Sequence, residues 1–135
     1  MLLAEIFDSK FKPMSHKVPK CLFPVANIPL ILYTLEFLAL NNVKEVYVVS
    51  SHDNKVLKDK IDTIKDSHMI GKMNNFRITY VKLEQANSVA SALREVNDSV
   101  ELRDDFLVLQ GDIVCNADLS DALRMHYKKK ANKEY

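Results

Sequence analysis

The stretch from Leu2 to Pro29, LLAEIFDSKFKPMSHKVPKCLFPVANIP, decides how the rest of the chain is read. Its apolar start, Met1 to Ala4, is long enough for a short strand. A long loop follows, and then a helix signal, with Asn27 expected as N-cap and Pro29 in the first turn. Strand-to-helix connections in compact α/β domains usually take a handful of residues, and a longer ordered loop is commonly functional. In an open parallel sheet such a loop lies outside the carboxyl ends of the strands, where ligands bind. The position suits a ligand site; the residues filling it do not suit a phosphate.

Glycine usage carries that second point. The chain of 135 residues has only two glycines, Gly71 and Gly111. A phosphate-cradling loop needs several, because its backbone N–H groups must approach the phosphates in conformations that a side chain forbids. Neither a P-loop nor a dinucleotide fingerprint therefore exists anywhere in the sequence. Glu5 and Asp8, at the start of the loop, add negative charge where phosphates would lie.

The remaining segments alternate in type. Leu30–Leu40 is apolar nearly all round, a helix expected between sheet and other elements, and Asn41-Asn42 ends it. Lys44–Ser50 reads as a β-branched strand. Asp53 is placed to cap a helix running to about Lys65, with Val56, Leu57, Ile61 and Ile64 on its core face and lysines opposite. Residues 66–75 read as a loop around Gly71, and Phe76–Val81 as a strand near the sheet edge. Asn87 or Ser88 starts a third helix facing the core with Val89, Ala92, Leu93 and Val96. Phe106–Leu109 is fully apolar and is expected as a central strand ending at Gly111-Asp112. Asp118 caps a last helix, with Leu119, Ala122, Leu123 and His126 turned inward and a polar, fraying tail from Lys128. Such alternation predicts an α/β fold, a parallel sheet with helices on both faces.

Composition narrows the functional classes. Apolar residues make up 47% and charged residues 27%, a globular balance for one domain. A net charge of +1 provides no general field for nucleic acid, so no direct nucleic-acid partner is expected. Cys21 and Cys115 lack metal spacing and read as free thiols of a reduced, cytosolic protein. His16, His52, His68 and His126 are scattered and read as surface or cap residues. The longest apolar stretch, Pro29–Leu40, is too short to cross a bilayer and carries Glu36, and the opening apolar run is taken as a strand rather than a leader. No membrane partner is expected.

The block Pro19-Lys20-Cys21-Leu22-Phe23-Pro24-Val25, followed by Asn27 and Pro29, resembles the opening signature of the sugar-nucleotide pyrophosphorylases, which join a nucleoside triphosphate to a sugar phosphate. In that family the block follows a strand and a Gly-Gly-x-Gly-Thr-Arg-Leu turn; here Glu5–Phe11, EIFDSKF, stands in the turn's place. The segment Ala4–Pro13, together with Tyr33–Leu38 and Asp105 through Gly111-Asp112 to Asn116, is similar to one branch, the epsilon subunits of eukaryotic translation initiation factor 2B. The resemblance runs from Leu3 to about Lys130.

It implies a Rossmann-like doubly wound sheet, with Leu3, Val48, Ile78 and Val108 in adjacent parallel strands ordered third, second, first, fourth. It also implies that residues 1–135 are the N-terminal part of a nucleotidyltransferase-like domain. Family members continue with further strands and a β-helix, and the epsilon branch adds a helical exchange domain. Lys20 matches the lysine that neutralises phosphate charge in active relatives. Asp112 matches the aspartate that holds the divalent metal and is the only metal candidate. Ser88-Val89-Ala90 stands where the family has its base-recognising Gly-Thr-Ala. Glu5, Asp8, Lys20, Ser88 and Asp112 are therefore read as vestigial pocket positions, with no catalytic residue, cofactor or resident metal. The partners implied are the other subunits of initiation factor 2B, gamma first, and through them initiation factor 2. Self-association of the chain is a further expectation. The alternatives are a working sugar-phosphate nucleotidyltransferase with an unusual loop, and a Rossmann-like domain of other purpose.

Overall fold

In the computed structural model, residues 1–5, 13–16, 18–50, 54–66, 76–100, 102 and 104–132 are described. In chain order the strands and helices are β1 (Leu2–Glu5), β2 (Pro24–Val25), β3 (Ile28–Pro29), α1 (Leu30–Leu40), β4 (Glu45–Ser50), α2 (Lys55–Asp66), β5 (Arg77–Lys82), α3 (Val89–Ser99), β6 (Leu109–Gln110) and α4 (Ser120–Asn132). Four strands make one sheet in the order β5-β4-β1-β6, every pair parallel. That is the order third, second, first, fourth of the doubly wound expectation.

Side-chain alternation assigns the two faces. Val46 and Val48 of β4, Ile78 of β5 and Leu2 and Ala4 of β1 join one core with Ile31, Leu35, Phe37 and Leu38 of α1 and Leu57, Ile61 and Ile64 of α2. Val49, Val81 and Leu3 point the other way, onto Ala92 and Val96 of α3. The period of two in the strands thus places helices on both faces. Chain direction reverses at β1: α1 and α2 carry the chain outward to β5, and α3 returns it past β4 to the far side of β1. The crevice between β1 and β6 is the topological switch point.

Several expectations are corrected. Asn27 does not cap α1. Ala26 and Asn27 form a two-residue loop with positive φ (50° and 64°) joining the antiparallel strands β2 and β3, a conformation Asn tolerates and primed hairpin turns require. Pro29 takes the N-cap position without a side-chain bond, and the Leu30 N–H is satisfied by the Phe23 carbonyl instead. At α2, Asn54 Oδ1 accepts from Leu57 N at 3.1 Å; of the 66–75 segment expected as a loop, Asp66 is the last residue of α2, and residues 67–75 lie outside the described residues, as does Asp53. Val56 and Val89 are exposed: Val56 sits one position round α2 from the buried Leu57, Ile61 and Ile64, and Val89 is the first residue of α3, a full turn before the buried Ala92.

The largest correction is at the C-terminal end. Only Leu109–Gln110 pairs with β1, and β6 is an edge strand rather than a central one. Leu107 and Leu109 pack on the core, whereas Phe106 and Val108 are exposed because no strand lies outside β6 among the described residues. For the same reason α4 buries no residue; of the expected inward face only Leu119, just before it, packs on the core. The tail expected to fray from Lys128 is helical to Asn132, with Lys130 Nζ held 2.8 Å from both oxygens of Asp105. No helix among the described residues is long and apolar enough to cross a membrane.

Candidate functional site

The site is built where two connections leave the switch point. Two 3-10 turns are described after β1, Met14–His16 and Lys20–Leu22, and the chain returns to the sheet in the second. Pro19, with φ fixed at −54°, opens it, and bonds from Leu22 N to Pro19 O and from Phe23 N to Lys20 O close it. Cys21 and Leu22 are buried in the core below α1, which leaves Lys20 to face outward at the sheet's carboxyl end.

After β6 comes Gly111, whose N–H donates to the Leu3 carbonyl at 2.8 Å. A Cβ there would lie 3.0 Å from Ala4 Cα, 3.2 Å from Leu3 O and 3.3 Å from Cys21 Cβ, so close packing favours glycine and a side chain would force its neighbours to give by a few tenths of an ångström. Asp112 follows directly and meets Lys20, Nζ to Oδ2 2.5 Å, with the two side chains 27% and 23% exposed. The carbonyl of Ile113 accepts from the buried hydroxyl of Thr34 at 2.7 Å. Asn41 donates to Phe37 O and accepts from Leu119 N, each at 2.9 Å. Helix α1 therefore holds both ends of the Gly111–Leu119 connection.

Of the residues expected in the pocket, Lys20 and Asp112 are brought together. Glu5 ends β1, its backbone paired with Ser50 of β4, and Asp8 lies outside the described residues. Ser88 caps α3: its side chain accepts from Ser91 N at 3.2 Å while Ser91 Oγ accepts from Ser88 N at 3.0 Å. Thr34 was not singled out by the sequence, and Asn41 was read only as the end of α1, which it is. The signal available for Thr34 was one hydroxyl in an otherwise apolar helix.

The metal that the resemblance attaches to Asp112 is not matched by the donors among the described residues. A hard divalent cation wants about six oxygen ligands, and no group of three or more His, Cys, Asp or Glu side chains gathers among the described residues. The Asp112 carboxylate already has an ammonium against it. A separate open cleft of about 450 Å³ lies between the Val18–Pro29 segment and α2, lined by Val18, Leu22, Pro29, Val56 and Lys60 among others. Lys20 and Asp112 take no part in it. Cys21 and Cys115 are both free thiols, the first buried and the second exposed.

The model of the nucleotidyl transferase family matches residues 7–135. The chain belongs to that family. Among its relatives it is 33% identical over 130 residues to translation initiation factor eIF2B subunit epsilon of Schizosaccharomyces pombe, covering 96% of this chain and 19% of that protein. It is 31% identical over 133 residues to a putative mannose-1-phosphate guanyltransferase of Sulfolobus acidocaldarius, covering 98% of this chain and 34% of that protein. A solved structure of apo UDP-glucose pyrophosphorylase superposes with a TM-score of 0.73 at 20% identity, over 96% of this chain and 54% of that one. The last likeness speaks to the fold, and it is the fold that the resemblance implied. The chain spans about a fifth to a third of these two relatives' length.

Proposed function

We propose that this is a non-catalytic nucleotidyltransferase-like domain, a scaffold and interaction module of the translation initiation factor 2B guanine-nucleotide exchange complex. Its partners are other subunits of that factor, gamma foremost, and indirectly initiation factor 2, in the cytosol. The observation that carries the reading is the glycine-free sequence Glu5–Phe11, which stands in the place of the family's Gly-Gly-x-Gly-Thr-Arg-Leu turn. Nucleotidyl transfer depends on positioning and charge stabilisation acting together. Lys20 supplies part of the second, and a segment without glycine is poorly suited to the first. The likeness to an eIF2B epsilon subunit supports the same reading.

A sugar-phosphate nucleotidyltransferase is the second reading, favoured by the retained Lys20 and Asp112 and by the likeness to the guanyltransferase. Two assays separate them. The domain incubated with GTP or UTP, magnesium and mannose- or glucose-1-phosphate is expected to release no pyrophosphate. A tagged copy is expected to retain the gamma subunit of initiation factor 2B from the same organism. Pyrophosphate release that Asp112→Ala abolishes, with no retention of gamma, would make the second reading the right one.

A further inference from the structure

Lys20 and Asp112 come from different connections, and both stand on backbone that has little freedom to withdraw. The two residues after Lys20 are buried in the core. The residue before Asp112 is packed tightly against Ala4 and Cys21. Between these fixed points the side chains meet at 2.5 Å, each about a quarter exposed. Partial burial lowers the local dielectric and strengthens such a pair relative to one in open water.

We propose that Lys20 is the internal counter-ion of Asp112, a latch that closes this end of the pocket to divalent cations. The ammonium stands beside the carboxylate oxygen that a metal would need, and its like charge opposes a second cation there. The latch also ties the connection after β1 to the connection after β6 across the switch point. A lysine and a carboxylate that suit phosphate and metal separately thus neutralise one another. The inference rests on the reading of the pocket as non-catalytic, but its test uses no nucleotide. Nucleotide binding by the natural protein would defeat that reading, whereas the latch is decided by metal alone.

The experiment titrates Mn²⁺ into four proteins and follows the free ion by electron paramagnetic resonance: the natural sequence, Lys20→Met, Asp112→Asn and the double variant. Removing the ammonium is expected to tighten Mn²⁺ binding at least threefold, and the double variant is expected to lose the whole gain. A gain below threefold, or one that persists without the Asp112 carboxylate, would overturn the latch. Lys20→Arg retains the charge and is expected to bind Mn²⁺ as weakly as the natural protein; tightening by Arg as large as by Met would also overturn it. If Lys20→Met does not fold, Lys20→Gln carries the same prediction and the same refutation.

Discussion

Gly111, just after β6, packs closely on the backbone of β1, and its replacement has a calculable consequence. Gly111→Ala sets a Cβ 3.0 Å from Ala4 Cα, which is backbone and cannot turn aside. The expected loss is about 1–3 kcal/mol, typical of overpacking, read as a lower urea midpoint. Ser88→Ala removes half of a capping box and is expected to cost about 1 kcal/mol, with no change in any ligand affinity. The residues that the sequence singled out had local signals: Lys20 inside Pro-Lys-x-Leu-x-Pro-Val, Asp112 after a strand and glycine, Ser88 before an amphipathic run. Thr34 and Asn41 had none that reached their partners. They bond Ile113 and Leu119, 79 and 78 residues away, and such pairings exist only once the sheet has closed.

At the scale of elements, legibility followed the completeness of each element's surroundings. Helix α1 is covered and reads as a continuous apolar run; α2 and α3 bury one stripe each and read by periodicity. Strand β6 and helix α4 carry apolar residues as if covered, yet their outer sides have no neighbour among the described residues. The β2–β3 hairpin was missed because its two-residue turn resembles a cap signal. Helix α4 is held instead through Asp105, which accepts from Lys130 and lies 3.3 Å from His126 Nε2. The Lys130 hydrogen bond, more than that of His126, holds the Asp105 carboxyl below its usual pKa, while desolvation opposes. A depressed folded-state pKa contributes stability above the ordinary carboxylate range, lost as pH falls through the depressed value. Amide exchange in α4 is therefore expected to be slower in the natural protein than in Asp105→Asn at pH 7. The difference should close as pH falls below about 4. A gap unchanged at pH 3 would contradict the Asp105 anchor.

For the whole molecule, the exposed large apolar residues of the last third lie on the segments flanking β6 and on α4: Phe106, Val108, Val114, Leu123, Met125 and Tyr127. An open strand edge beside apolar side chains favours association. Light scattering at rising concentration is expected to show self-association that Phe106→Glu weakens; a monomer at every concentration that binds no hydrophobic dye would contradict this. Nothing in that surface bears on whether the switch point works as a nucleotide site, and that question is the central one. Calorimetry of the purified domain with GTP, UTP or ATP, with and without magnesium, tests it most directly. A non-catalytic pocket is expected to show no binding tighter than about 1 mM. A micromolar dissociation constant that Asp112→Ala abolishes would contradict it.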